Sequence, residues 1–277
     1  MNVLEFSLLV WVGSFLAGFL GALTGLGGGV VIVPLLTSVF GVDIRYAIGA
    51  SLVSVIATSC AAASTYIRQG YANLRLGMFL EVATTIGAII GAVLATVISI
   101  KQLTVVLAIV LLYSAYLAQR PRLEGITDET EETLTQQLQL HGTYPTPDGL
   151  MNYQAYSVPL GFGLMSIAGV LSGLLGIGSG ALKVLAMDQV MRLPFKVSTT
   201  TSSFTIGVTA AVSAGVYLAR GYIDPGLSMP VMLGVFPGAL LGAKALMGTK
   251  VSVLRIVFSV VLVVMSFKMV YNAFGGM

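Results

Sequence analysis

The sequence predicts an all-α polytopic membrane protein made of two inverted repeats, and three observations lead to this fold class. Hydrophobic residues make up 56% of the 277-residue chain and charged residues only 9%, whereas soluble domains carry about a quarter charged residues. The chain is also divided into apolar runs close to the roughly 20 residues that a helix needs to cross a bilayer. Finally, the two halves of the chain match each other position by position.

The apolar runs form two sets of five with a polar stretch between them. They cover residues 3–23, 25–41, 46–67, 76–100 and 103–118, then 157–175, 177–191, 197–218, 226–247 and 251–272. We therefore expect a first transmembrane repeat over residues 1–118, a polar linker over 119–156 and a second transmembrane repeat over 157–277. Several runs are short for a span, so the first two segments of each set also fit a hairpin that does not fully cross. Four spans per half with broken first helices is a second count that fits.

A constant offset relates the two halves. Adding 151 to a residue number in the first half gives its counterpart without a gap over about a hundred residues. The matched positions are Gly18, Gly25, Gly27 and Gly29 with Gly169, Gly176, Gly178 and Gly180, then Tyr66, Gly70 and Tyr71 with Tyr217, Gly221 and Tyr222, then Gly87 and Gly91 with Gly238 and Gly242. Five segments per half is an odd number, which predicts that the repeats have opposite orientations in the membrane.

Lysine and arginine alternate along the loops and predict the orientation. The richer loops carry Arg68 and Arg75, Arg120 and Arg122, Arg192 and Lys196, and Lys244, Lys250 and Arg255, and the poorer ones carry Arg45, Lys101, Arg220 and Lys268. Because positive loops stay in the cytoplasm, we expect a multi-pass protein of the cell inner membrane with a cytoplasmic linker. The first run lacks a positive flank, so it is interpreted as a retained helix rather than a signal peptide.

The linker is acidic, and the rest of the chain is basic. Six of the eleven acidic residues lie in the linker: Glu124, Asp128, Glu129, Glu131, Glu132 and Asp148. Asp128 followed by Glu131 resembles a capping box, which predicts a short helix before a turn over residues 144–149. A connecting role is favoured over a regulatory one. Without the linker, twelve basic and five acidic residues give a net charge of +7, which favours an anionic substrate.

Two glycine-rich interruptions are the first candidate binding elements. They read Gly25-Leu26-Gly27-Gly28-Gly29 and Gly176-Ile177-Gly178-Ser179-Gly180. Irregular backbone at membrane depth is tolerated where it lines a cavity or is buried in protein, and a half-helix that starts after the break points free N–H groups and a positive dipole at an anion. Close helix packing is the alternative role of these glycines. The candidate site residues are Gly27, Gly28, Gly29, Gly178, Ser179 and Gly180.

Hydroxyl groups and two charges complete the candidate site. Ser51 begins a hydroxyl-bearing segment that aligns with the Ser/Thr-rich segment around Thr201 and Ser202. Such hydroxyls either bind an oxyanion or join helices. Lys183 lies three residues after Gly180, where the first half has Ile32. A charge inside an apolar run is a functional candidate by default, although a Lys183–Asp188 pair or snorkelling also explains it. Glu81 is the candidate for a coupling proton, unless it too snorkels.

Four segments carry a resemblance to a known family: residues 21–29 (GALTGLGGG), 47–52 (AIGASL), 176–184 (GIGSGALKV) and 195–209 (FKVSTTTSSFTIGVT). They resemble the sulfite exporter TauE/SafE family, also called the toluenesulfonate uptake permease family. The family pattern usually has a hydroxyl where Ala50 stands and a glycine where Ser179 stands. The resemblance spans both repeats without the linker, and it implies movement of sulfite, sulfonates or related sulfur-containing anions.

The sequence thus predicts a secondary transporter that exports its substrate by alternating access, rather than an enzyme. A passive anion channel and a membrane scaffold for a sulfur-metabolism enzyme are the alternatives. One cysteine and one histidine make a zinc site or a hydrolytic triad implausible, and no P-loop motif supports ATP hydrolysis. We expect no cofactor and no nucleic acid partner. The expected partners are a small anion, the lipid bilayer and a candidate coupling proton, with the oligomeric state left open.

Overall fold

The computed structural model is a helical bundle with one short hairpin. It describes residues 3–25, 27–68, 70–95, 97–99, 140–146, 149–176 and 178–250, with scattered residues in 101–138 and 252–271. The elements are α1 (Val3–Thr24), α2 (Gly29–Ser38), α3 (Ile44–Arg68), α4 (Leu74–Leu94), β1 (Gly142–Thr146), β2 (Gly149–Tyr153), α5 (Val158–Leu175), α6 (Gly180–Leu185) followed by a π-helical turn (Ala186–Val190), α7 (Phe195–Ala219) and α8 (Pro225–Gly248).

Within the described residues, six helices are long and apolar enough to cross a membrane: α1, α3, α4, α5, α7 and α8. Their lengths of 18–25 residues correspond to about 27–38 Å at 1.5 Å per residue, against about 30 Å for the hydrocarbon core. This confirms the predicted class of an all-α polytopic membrane protein. Helices α2 and α6, with ten and six residues, are too short to cross. The predicted linker helix and most of runs 103–118 and 251–272 lie outside the described residues.

The hairpin corrects one prediction. Strands β1 and β2 pair antiparallel from Gly142 with Tyr153 to Thr146 with Gly149, so Tyr144 to Thr146 belong to a strand and not to the expected turn. Pro145 and Gly149 obscured the strand signal, because proline and glycine are poor strand formers. The hairpin is anchored to the bundle, since Leu140 and Ala155 beside it are buried with Leu76 and Leu80 of α4.

Glycines at helix crossings let the bundle pack closely. Helix α1 packs along α8, α4 packs along α5, and α3 packs along α7. A Cβ on Gly18 would lie 2.4 Å from the Val235 carbonyl oxygen, and a Cβ on Gly169 would lie 2.2 Å from that of Thr84. These distances are far below van der Waals contact, so backbones approach here as they do at small-residue interfaces in membranes.

The loops gather at two ends of the bundle. At the first, the Asn73 side chain donates to the Tyr153 hydroxyl at 3.0 Å, and Lys196 Nζ donates to the Met247 carbonyl at 2.8 Å. These contacts bring together the α3–α4 loop, the hairpin, the start of α7 and the end of α8, and we call this the linker end. At the opposite end, Arg45 donates to the Tyr222 hydroxyl at 3.2 Å. The described loops predicted to be rich in basic residues, which carry Arg68 and Arg75, Arg192 and Lys196, and Lys250, therefore meet at the linker end.

Candidate functional site

Both glycine-rich interruptions are real breaks between a long helix and a short one. Helix α1 ends at Thr24 and α2 begins at Gly29, with Gly25, Gly27 and Gly28 at φ of 77°, 78° and 75°. Helix α5 ends at Leu175 and α6 begins at Gly180, with Gly176, Gly178 and Ser179 at φ of 63°, 75° and 49°. The left-handed region favours glycine, which explains why the breaks are glycine-rich and marks Ser179 as a strained position.

A serine from the other half of the chain holds each break. Ser51 on α3 donates to the Gly176 carbonyl at 2.9 Å. Ser202 on α7 lies 3.3 Å from the Gly25 carbonyl, its nearest acceptor. Both serines are fully buried. The predicted residues Ser51 and Ser202 therefore reach the breaks, and in this conformation they bond to backbone carbonyls.

The two breaks lie against the same pair of apolar side chains. A Cβ on Gly27 would lie 3.0 Å from Ile206 Cγ2 and 3.3 Å from Val55 Cγ1. A Cβ on Gly178 would lie 2.6 Å and 3.0 Å from the same two atoms. The structure thus brings the predicted glycines of both halves together around Val55 and Ile206, in the interior between α3 and α7.

The short helices begin directly at the breaks. The amides of Val31 and Ile32 donate to the Gly28 carbonyl at 3.0 and 3.1 Å, so α2 starts its bonding there. The amide of Lys183 donates to the Ser179 carbonyl at 3.0 Å. The amides before these first bonds, including those of Gly29 and Gly180, have no acceptor within their own helix. They can therefore donate to a group outside the helix.

Ser179 contributes a buried hydroxyl beside these amides. Its side chain is 2% exposed, and its Oγ has no hydrogen-bond partner among the described residues. A buried hydroxyl without a partner costs free energy, so a ligand that accepts a hydrogen bond at this position would be stabilised. Thr201, by contrast, contacts the start of α4, where its Oγ1 accepts a hydrogen bond from the backbone N–H of Asn73 at 3.0 Å.

Lys183 and Glu81 form a buried ion pair. Lys183 Nζ lies 2.9 Å from Glu81 Oε2, and the two side chains are 0% and 10% exposed. Neither side chain snorkels, and the alternative Lys183–Asp188 pairing is not the one observed. Asp188 Oδ2 instead accepts from Gln189 Nε2 at 2.9 Å. The two charges that sequence reasoning treated separately thus belong to one cluster.

Thr209 completes this cluster, and sequence reasoning did not assign it a role. Lys183 Nζ donates to Thr209 Oγ1 at 2.6 Å, and the Thr209 hydroxyl donates to Glu81 Oε1 at 2.5 Å. Its spacing could have indicated a role, because Thr209 follows Ser202 by seven residues and therefore lies on the same face of α7. We refer to Glu81, Lys183 and Thr209 as the charged triad.

The charged triad has an uncharged counterpart. The offset of 151 residues relates Lys183 to Ile32, Thr209 to Thr58, and Glu81, in the first half, to Met232. Thr58 is buried and donates to the Ser54 carbonyl at 2.8 Å. The related positions therefore contain a threonine in both cases but a lysine and a glutamate only once.

A polar cleft opens at the linker end. It has a volume of about 790 Å³ and is lined by His141, Tyr144, Tyr153, Tyr156 and Arg192, among others. Burial raises the pKa of the Tyr153 phenol, with the Asn73 hydrogen bond acting in the opposite direction. Since Asn73 also contacts Thr201, the cleft borders the start of α4 and α7, two helices that carry the charged triad.

The sequence profile of the sulfite exporter TauE/SafE family matches residues 10–269. The chain belongs to this family. It is 26% identical over 277 residues to the probable membrane transporter protein YunE of Bacillus subtilis, covering 97% of this chain and 98% of the relative. It is 28% identical over 238 residues to the probable membrane transporter protein YdhB of the same organism, covering 86% and 89%.

A probable membrane transporter protein of Xylella fastidiosa is 24% identical over 277 residues, with 98% of both chains covered. These relatives are named as transporters and their names give no substrate. No solved structure matches the chain. Family membership and the apolar helices together make this TauE/SafE protein a multi-pass membrane transporter and not an enzyme.

Proposed function

We propose that this protein is a secondary transporter that exports small sulfur-containing oxyanions, such as sulfite or organosulfonates, across the inner membrane by alternating access. The observation that carries the proposal is the fully buried lysine in a helix that begins at a glycine break. A buried ammonium group is costly unless it has a function or a partner. Here it lies one helical turn from the first amides of α6, which have no acceptor within their own helix, and from the Ser179 hydroxyl, which has no partner among the described residues.

The donors around the second break suit an oxyanion. Lys183 supplies a positive charge, the start of α6 supplies N–H groups and Ser179 supplies a hydroxyl. Charged and neutral donors of this kind replace the hydration shell of an oxyanion. Ser202 and Ser51 are the proposed second layer, because their hydroxyls bond to carbonyls of the breaks. The excess of basic residues outside the linker would attract such a substrate.

Paired contacts support the proposal of two inverted repeats. Ser51 bonds to Gly176 while Ser202 bonds to Gly25, and the offset of 151 converts one contact into the other. The same offset converts the packing of α1 along α8 into the packing of α5 along α4. Inverted repeats place a substrate near the bilayer midplane and let one repeat rock against the other, which is the basis of the proposed mechanism.

Binding and flux measurements test the proposal. We expect purified protein to bind sulfite or methanesulfonate in a panel that also contains sulfate, thiosulfate, taurine and sulfoacetate, and to catalyse saturable counterflow of the bound anion in liposomes. Flux that neither saturates nor shows counterflow would indicate a channel. Absence of both binding and flux would contradict transport of these anions and favour the scaffold role.

The site assignment has its own variants. The double change Lys183→Met and Glu81→Gln removes the cation without leaving an unpaired buried carboxylate. We expect it to weaken sulfite binding about 10- to 100-fold, the loss of a hydrogen bond to a charged donor. Lys244→Met is the control, because Lys244 is an exposed lysine on α8. Equal affinity of both variants would show that Lys183 does not hold the anion.

A further inference from the structure

The charged triad already contains a bound anion, and that anion is a side chain. Both oxygens of the Glu81 carboxylate are engaged: Oε2 by Lys183 Nζ at 2.9 Å and Oε1 by the Thr209 hydroxyl. Two oxygens on one atom, held by an ammonium and a hydroxyl, are also what a sulfonate or sulfite group would present. Glu81 thus occupies the donors that an oxyanion substrate needs.

The ionisable groups around Glu81 identify Lys183 as its charge partner. The ionisable groups on the elements packed against it are Lys183 and Asp188 on α6 and its π turn, Lys196 and Tyr217 on α7, and Arg75 on α4 itself, whereas α5 has none. Lys196 bonds to Met247 and Tyr217 to Leu174. Lys183 is the cation that pairs with Glu81, so the pair is balanced before any substrate arrives.

A second anion at Lys183 would upset this balance. With Glu81 ionised, two negative charges would share one ammonium group in a buried region, where an uncompensated charge costs several kcal/mol or more. A proton on Glu81 restores neutrality, and the protonated carboxyl releases Lys183 and Thr209. The 10% exposure of the Glu81 side chain and its position seven residues into α4, about 10 Å from the helix start, leave it reachable for a proton from water at the linker end.

We propose that Glu81 is an internal competitor of the substrate: an oxyanion takes over Lys183 Nζ and Thr209 Oγ1 only when Glu81 has taken up a proton from the aqueous phase. No covalent bond changes; one proton and one monoanion enter the site together, and both leave on the other side. This movement carries no net charge, so export proceeds when the outward gradient of the anion exceeds the opposing gradient of protons. When the site is empty, ionised Glu81 closes it again. This coupling rests on the proposed transport function. It predicts a stoichiometry of one proton for each anion and places that proton on Glu81.

The test compares the pH dependence of binding in the wild type and in Glu81→Gln. The probe is methanesulfonate, which stays a monoanion near neutral pH, and sulfite is measured in parallel as a difference between the two proteins, so that its own ionisation cancels. We expect wild-type affinity to fall by up to about tenfold per pH unit where Glu81 is ionised. Glu81→Gln should bind more tightly at high pH and lose this dependence.

Thr209→Val tests the geometry without changing a charge. It should weaken binding of the same probe about tenfold, the loss of one hydrogen bond to a charged group, and keep the pH dependence. The matched control is Thr58→Val, which removes the related buried hydroxyl from the uncharged counterpart and should leave affinity unchanged. If Glu81→Gln does not fold, proton uptake by the wild type on binding methanesulfonate, measured in two buffers, decides the same point.

Each result has a distinct meaning. Equal pH dependence in wild type and Glu81→Gln, or binding of methanesulfonate without proton uptake, overturns the coupling while leaving transport in place. Equal effects of Thr209→Val and Thr58→Val overturn the competition for the triad's donors. Failure of the wild type to bind or transport either probe overturns both this inference and the proposed function.

Discussion

Lys183 is tolerated inside the bundle because two side chains from other helices meet it. Glu81 on α4 balances its charge, and Thr209 on α7 accepts a further hydrogen bond. Attraction between buried charges does little more than offset their desolvation, yet removal of one partner leaves an uncompensated charge. Replacing both charges should therefore change the stability little, whereas removing only one of them should destabilise the protein.

Breaking the pair from one side should destabilise the protein, and neutralising both sides should restore it. Lys183→Met leaves the Glu81 carboxylate buried without a cation, at a cost of about 3–5 kcal/mol. The double variant with Glu81→Gln should recover most of this loss. Thermal unfolding in detergent, followed for wild type, both single variants and the double variant, measures the coupling. Additive effects of the two changes would contradict the pairing.

The contacts among the residues of the charged triad could not be predicted from the sequence. Lys183 and Glu81 each stand out as a charge in an apolar run, but they are 102 residues apart, and their pairing depends on which helices become neighbours. Asp188 was the nearer candidate partner for Lys183 in sequence. Thr209 was overlooked because buried hydroxyls are routine in membrane bundles, and only the fold shows that this one touches both charges.

At the scale of elements, hydrophobic periodicity and the positions of the glycines predicted more of the structure than single residues did. The two glycine-rich stretches were expected to interrupt helices, and they lie between α1 and α2 and between α5 and α6. The π-helical turn after α6 was not expected. It is closed by the Met191 amide donating to the Ala186 carbonyl at 2.9 Å, and such an insertion leaves no clear composition signal. The hairpin was missed for a similar reason, since its strands contain glycine and proline.

The crossing of α4 and α5 should depend on Gly91. A Cβ at this position would lie 2.0 Å from the Val170 carbonyl oxygen, so alanine must push the two helices apart. We expect Gly91→Ala to cost about 1–3 kcal/mol, as overpacking of a close interface does. Thermal unfolding in detergent again provides the measurement.

Gly163→Ala on α5 is the matched control for Gly91→Ala. Among the described residues, no atom outside the backbone of its own helix and its chain neighbours lies within 4 Å of a Cβ on Gly163. The change should be neutral or slightly stabilising, because alanine favours helix by about 1 kcal/mol over glycine. Equal destabilisation by both changes would contradict close packing as the reason for a glycine at position 91.

At the scale of the whole molecule, the contacts that join distant elements also assign loops to ends. Lys196 contacts the end of α8 and Asn73 contacts the hairpin, whereas Arg45 contacts Tyr222 at the other end. Alternation of basic residues predicted two sets of loops, and the described members of the two sets lie at opposite ends of the bundle. Which end faces the cytoplasm stays a prediction, because it depends on the positive-inside rule and not on packing.

Cysteine labelling tests this orientation. In a Cys60→Ala background, which removes the single cysteine, Thr143→Cys places a thiol on the exposed hairpin and Ala219→Cys places one at the exposed end of α7. If the linker end is cytoplasmic, a membrane-impermeant maleimide should label Ala219→Cys in intact cells and Thr143→Cys only in inside-out vesicles. Both should react after detergent is added, which controls for accessibility. The reverse pattern would place the linker outside, and labelling of both thiols from one side would contradict the separation of the two ends by the membrane.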